Sequence, residues 1–245
     1  MLRLRISVYS INVLFGLPTH SFIIWLIVTG TGSGIASDFL IFNLSVCEIG
    51  LCLNGVFAFF YSLQFSNLSG LMYFLSGLGI TARPLFQCLM CVERYLAVIH
   101  PVTFLKYKPL RYRLICSAAA WIITLVSCSC LCMFGIISSK TFFSIQFLLF
   151  LSIQLFCCLA VLRAVKQSGP EREEENHMKR KAFYLILITT VSMLIGYIPA
   201  SFLGFIYLFE DRFPLEPFLI SFVSFVFAGF VHPILYLNRA GCLSS

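Results

Sequence analysis

Glu48 and Arg83 each stand alone in a long apolar run, Glu48 within IFNLSVCEIG and Arg83 within GITARPLF. A second charged group, Glu93-Arg94-Tyr95, closes the run that holds Arg83. His100-Pro101 follows, then a basic stretch with Lys106, Lys108, Arg111 and Arg113. A carboxylate and a guanidinium among apolar residues can pair, hold an ion or carry a proton. Charges of this kind inside a membrane are functional by default. Catalytic patterns are missing: no run carries a metal-ligand cluster or a nucleophile–base pair. His20 and His232 are lone histidines on separate runs. The expectation is a protein that is not an enzyme and needs no cofactor or metal.

The elements that must position these residues follow from composition. The chain has 245 residues, 60% hydrophobic and 11% charged, against about 25% charged in a typical soluble domain. Uncharged blocks cover 6–37, 49–82, 114–139, 141–162, 182–209 and 217–238. Each can cross a hydrocarbon core, which needs about 20 apolar residues. Only helices and closed barrels satisfy the backbone in lipid, and a barrel would show short alternating segments. The block 49–82 is too long for one crossing, and Phe65-Ser66-Asn67-Leu68-Ser69-Gly70 supplies the turn inside it. The reading is all-α, a bundle of seven transmembrane helices in one domain over residues 1–245. Its spans fall near 6–29, 38–62, 70–97, 113–137, 141–165, 179–208 and 215–238.

Lysine and arginine in the connections orient the bundle. With the N-terminus outside, eleven face inward: Lys106, Lys108, Arg111, Arg113, Arg163, Lys166, Arg172, Lys179, Arg180, Lys181 and Arg239. Four face outward: Arg3, Arg5, Lys140 and Arg212. Arg83 and Arg94 complete the seventeen. The expectation is a multi-pass protein of the cell membrane, N-terminus outside and C-terminus in the cytoplasm. The net charge of +7 reflects this bias, and no basic patch speaks for nucleic acid. Met1-Leu2-Arg3-Leu4-Arg5 leads into a run too long for a signal core and without a cleavage site. The first span reads as an uncleaved anchor.

Ten of the eleven cysteines fall within spans, where cysteine behaves as a small hydrophobe. Cys242 follows the last span on the inner side, as a palmitoylation site or a plain thiol. Asn67-Leu68-Ser69 is a glycosylation sequon in an outward turn, close enough to the membrane that an unused site fits equally.

Depth brings the two lone charges together. Glu48 lies ten residues beyond Asp38, about 15 Å along a helix rising 1.5 Å per residue. Arg83 lies eleven residues before Arg94, about 16 Å by the same rise. Eleven residues make almost three turns, so Arg83 and Arg94 face the same way. Left unpaired, either charge would cost about 2.5–3.5 kcal/mol on the insertion scale. The two are expected to pair across adjacent helices.

Five motifs, in order on their spans, resemble the rhodopsin-like (class A) G-protein-coupled receptors. Glu93-Arg94-Tyr95 is similar to that family's acid-arginine-tyrosine. His232-Pro233-Ile234-Leu235-Tyr236 resembles its Asn-Pro-x-x-Tyr, and Asn43-Leu44-Ser45-Val46-Cys47-Glu48 its Asn-Leu-x-x-x-Asp. Trp121 matches the fourth-span tryptophan, and Tyr197-Ile198-Pro199 the sixth-span Trp-x-Pro. The resemblance covers roughly residues 6–240, and within the family it is to orphan receptors of fish. It implies a heterotrimeric G protein as partner, an extracellular ligand and surrounding membrane lipid. Arg94 would be held at rest by Glu93 and freed when the sixth helix swings outward about Pro199. Tyr236 would swing inward to support the open state. Lys179, Arg180 and Lys181 stand where the family often has an acid that clasps the arginine. That implies a weak resting lock.

Departures from the family carry their own expectations. The disulfide that ties the third span to an outer loop is absent, since neither Ser69 nor the short Ile137–Thr141 loop has a cysteine. His20, His232 and Tyr197 replace the first-span asparagine, the seventh-span asparagine and the sixth-span tryptophan. Arg83 takes the third-span position that, with the second-span acid, helps hold sodium. A guanidinium in place of the ion and a pair that only fixes packing both remain open, with His20 and His232 in the same polar layer. No third-span acid is present for an amine ligand. Tyr73, Ser76, Ile80, Ser201, Phe205 and Phe222 make an uncharged lining, suited to an apolar or weakly polar small ligand. Nine residues follow Tyr236, where the family usually has another amphipathic helix, so a shortened or weakly anchored tail is expected. A retinal photoreceptor lacks its seventh-span lysine, and a transporter using Glu48 and Arg83 lacks internal repeats. A receptor-like protein that no longer signals remains the main alternative.

Overall fold

The computed structural model describes residues 2–30, 38–62, 69–107, 110–138, 140–167, 173–206 and 215–239. Among them every regular element is helical. Helices α1 (Leu2–Ile11) and α2 (Leu17–Val28) flank a π-helical turn, Asn12–Gly16, and form the first span. Helix α3 (Asp38–Ser62) is the second. Helix α4 (Ser69–Gly77), a π-helical turn (Leu78–Ala82) and α5 (Arg83–Ile99) make the third. After the short α6 (Pro101–Tyr107) come α7 (Leu110–Ser138), α8 (Lys140–Gln167) and α9 (Glu173–Ile206), the fourth to sixth spans. Helices α10 (Leu215–Ala228) and α11 (Val231–Arg239) form the seventh.

Among the described residues, seven stretches are long and apolar enough to cross a membrane: Ser7–Val28, Asp38–Phe60, Ser69–Ile99, Arg111–Met133, Phe142–Gln167, Lys179–Pro199 and Ile220–Asn238. The number is the one that composition implies. Several buried hydroxyls in these spans are satisfied within their own helix. Thr124 donates to the Ala120 carbonyl at 2.9 Å, Ser127 to Ile123 at 2.9 Å and Thr190 to Ile186 at 2.8 Å. In lipid a polar group must find its partner within the protein, because no water is available.

The third span is the axle of the bundle. In its most apolar window 78% of the residues are buried, against 28% in the first span. Its Phe86 belongs to one continuous core with Ile23, Leu44, Met193 and Tyr236, drawn from the first, second, sixth and seventh spans. The fourth span approaches it closely at Gly77. A Cβ there would lie 2.7 Å from Cys128 Sγ and 3.0 Å from Cys128 Cα. Trp121 of α7 donates its indole N–H to Asn43 Oδ1 at 2.9 Å and meets Phe86 edge to face at 5.9 Å. Asn43 Nδ2 in turn donates to the Phe39 carbonyl at 2.7 Å, which fixes the amide.

Three spans read as continuous in sequence are interrupted, the first by the π-helical turn Asn12–Gly16. The third contains the π-helical turn Leu78–Ala82 immediately before Arg83-Pro84. The seventh breaks at Gly229-Phe230, where Gly229 N–H donates to Val226 O (3.0 Å) and Phe230 N–H to Phe227 O (3.1 Å). Proline explains why each interruption persists. Pro18, Pro84 and Pro233 have no N–H to donate, so a regular helix through any of them would still leave one carbonyl without its bond. The sixth span, by contrast, runs on as one helix through Pro199.

Candidate functional site

Glu48 of α3 and Arg83 of α5 form a bidentate pair in the middle of the bundle. Arg83 Nε donates to Glu48 Oε1, and Arg83 Nη2 to Glu48 Oε2 at 2.6 Å. Arg83 is 1% exposed and Glu48 4%. The helical rise puts them at one depth, and the structure joins them. Arg83 also does more than balance the acid. Its Nη1 donates to the Phe225 carbonyl at 2.6 Å, and its Cζ stands 4.3 Å from the centre of the Phe225 ring. The guanidinium thus ties the second, third and seventh spans together with one planar group.

One helical turn above, Tyr197 of α9 donates its hydroxyl to the Gly79 carbonyl at 2.6 Å. That carbonyl has lost both of its helical donors. Arg83 N–H, four residues on, goes to Leu78 O in the π-helical turn. Pro84, five residues on, has no N–H. Tyr197 fills the gap, with its ring stacked on Phe147 at 5.7 Å and edge to face with Phe225 at 5.5 Å. Ser192, also on α9, donates to the Ala228 carbonyl at 3.2 Å, beside the break in the seventh span. The sixth span therefore bonds to interrupted backbone in both the third and the seventh.

The two histidines complete a polar layer. His20 Nδ1 lies 3.4 Å from Ser45 Oγ. His232 Nε2 lies 2.9 Å from Gln87 Nε2, with the amide donating to the ring nitrogen. Gln87 follows Arg83 by one helical turn. Below this layer a cavity of about 40 Å³ is lined by Met90 and Arg94 of the third span, Leu185 and Thr189 of the sixth, and His232 and Tyr236 of the seventh. It has room for a few waters at roughly 10–15 Å³ each. Glu93, expected beside Arg94, accepts from Arg113 Nη2 of α7 at 3.2 Å. Tyr95 meets His100 and Phe156, each at 5.7 Å between ring centres.

The remaining residues named from sequence scatter more widely. Tyr73 is exposed at the bundle surface, Ser76 accepts from Asn54 Nδ2 at 3.0 Å, and Phe222 packs on Tyr9 at 4.8 Å. Ile80 and Ser201 are half-buried. Lys179 is half-buried, whereas Arg180 and Lys181 are exposed. Pro199 is half-buried within α9 and Pro233 buried in α11. Asn67, Cys242 and the Phe205 side chain lie outside the described residues. The ten described cysteines are free. Sequence reasoning missed Pro84, Gln87, Ser192 and Gly229. A proline inside an apolar run is a readable signal for the first, since it demands an outside donor. Nothing local marks the others.

Residues 20–141 match the model of the 7 transmembrane receptor (rhodopsin family). Human C-C chemokine receptor type 8 is 24% identical over 229 residues, covering 81% of this chain and 62% of that receptor. Human chemokine XC receptor 1 is 24% identical over 198 residues, covering 74% and 59%. The G-protein coupled receptor homolog Q2/3L of sheeppox virus is 27% identical over 146 residues, covering 50% and 37%. The chain spans at most 62% of the length of these relatives. With the seven apolar helices, these findings make the chain similar to the rhodopsin-like G-protein-coupled receptors over the matched stretch. Its seven apolar helices make it a multi-pass membrane protein.

Proposed function

We propose that the protein passes an extracellular signal to a heterotrimeric G protein, docked at the end of the bundle that carries Arg94. The observation that carries this reading is the cavity shared by Arg94, the sixth span and Tyr236. Outward movement of the sixth helix would widen that cavity and uncover Arg94. The basic residues flanking this end support a cytoplasmic orientation. Glu93, Arg94 and Tyr95, with Lys179 and Arg180 at the start of the sixth span, form the coupling surface. Tyr197, Pro199, His232, Pro233 and Tyr236 make up the moving parts. The test is basal activation of the main G-protein classes by wild type and Arg94→Ala, at matched surface amounts. Signalling by the wild type alone supports the coupling role. Silence of both, with and without candidate ligands, favours a receptor-like protein that no longer signals.

The Glu48–Arg83 pair occupies the second- and third-span positions that help hold sodium in the receptors it resembles. In this reading the guanidinium stands in for the ion, with His20 and His232 in the same layer. For the ligand, the uncharged residues Ser76, Ile80 and Ser201 favour an apolar or weakly polar small molecule. The names of the relatives favour a second reading, a chemokine. Parallel panels of lipids and of chemokines, read by G-protein activation, separate the two.

A further inference from the structure

We propose that Arg83 is a positioning residue for the break in the seventh helix: it caps the backbone carbonyl that the break releases, and Gly229 leaves the space it needs. In an unbroken helix the Phe225 carbonyl would accept the N–H of Gly229, four residues on. Here that N–H goes to Val226 instead, at 3.0 Å. Phe225 O is left without its helical donor, inside the bundle, where an unbonded carbonyl is costly. Arg83 Nη1 supplies the bond at 2.6 Å, from 142 residues away in the chain.

The guanidinium suits this work because its donors are set in a rigid plane. Two of its nitrogens, Nε and Nη2, are held by Glu48, which fixes the direction of the third. The acid therefore does two things: it balances the charge and aims Nη1 at Phe225. A lysine could satisfy the charge but could not hold three acceptors in one plane. Gly229 sits directly over this arrangement. A Cβ there would lie 2.9 Å from Arg83 Nη2, 3.1 Å from Glu48 Oε2 and 3.1 Å from Val226 O. Arg83 is the far end of a flexible side chain, but its three bonds leave it nowhere to move. The break in turn sets where α11 starts, and α11 carries His232 and Tyr236 to the cavity beside Arg94.

The test needs no G protein, so its failure is distinct from failure of the coupling reading. Backbone hydrogen exchange is measured on purified receptor in lipid nanodiscs, with the thermal midpoint alongside. Three variants are compared with wild type: Gly229→Ala, Arg83→Lys, and the charge-free double Glu48→Leu/Arg83→Met. The expected result is exchange at 226–232 at least about tenfold faster in all three, with 84–99 little changed in Gly229→Ala. In the double variant this local change should persist even if the midpoint returns towards wild type, because no charge is left unpaired. A role limited to charge balance would not move exchange at 226–232 in that variant, and wild-type exchange there overturns the proposal. So does a raised midpoint in Gly229→Ala, the usual effect of alanine at an ordinary helical glycine. Loss of folded Gly229→Ala receptor, with both charges intact, is the collision the geometry calls for.

Discussion

Removing one oxygen atom tests the contact between the third and sixth spans. In Tyr197→Phe the ring keeps its neighbours Phe147 and Phe225, so little packing is lost. What goes is the hydroxyl that reaches the Gly79 carbonyl at 2.6 Å. Both groups are buried, and Gly79 has no helical donor left because Arg83 N–H serves Leu78 and Pro84 has none. Leaving one buried acceptor unmade costs about 1–3 kcal/mol. For a domain of this size each kcal/mol shifts the thermal midpoint by roughly 2–4 °C. The midpoint of the purified protein should therefore fall by roughly 2–12 °C. Pro84→Ala gives the control. It restores an N–H to the third span, so the carbonyl regains a backbone donor and no longer depends on Tyr197. In the Pro84→Ala background, Tyr197→Phe should cost much less, with a coupling of about 1–2 kcal/mol in a double-mutant cycle. Additive effects, or a Tyr197→Phe midpoint within a degree or so of wild type, would refute the account of the orphaned carbonyl.

Three other expectations can be checked on the same preparations and in cells. Neutralising one member of the central pair, Glu48→Leu or Arg83→Met, should destabilise by about 3–5 kcal/mol, because a buried charge is left alone. The double variant should lose less than either single change predicts by addition, and additivity in thermal unfolding would argue against the pair. If the guanidinium replaces a bound ion, exchanging sodium for choline should leave agonist affinity unchanged; a sodium effect that vanishes in Glu48→Gln would sink that idea. The basic residues at 179–181 predict basal G-protein activation above an empty-vector control, and a signal no higher than that control speaks against a weak resting lock.

The central ion pair is legible in the sequence because depth in a membrane helix is a linear coordinate. Ten residues from Asp38 and eleven from Arg94, at a fixed rise, bring Glu48 and Arg83 to one level. The cost of an unpaired charge in lipid does the rest. The motif residues are equally readable, and Trp121 and Asn43, which belong to separate motifs, bond to each other. The ligand lining is less so: Tyr73 faces outward and Phe222 packs on Tyr9. Periodicity says little about facing when nearly every side of a helix is apolar.

By itself, then, the sequence determined the class of architecture, the number of spans and the level of the buried charges. These depend on hydropathy, length and rise, all local or additive along the chain. Tertiary structure alone decided which backbone carbonyls are left open and which side chains close them. Tyr197 reaches Gly79 across 118 residues and Arg83 reaches Phe225 across 142. A proline or glycine announces that a helical bond will be missing, but the donor that replaces it comes from whichever neighbour the packed bundle brings within about 3 Å.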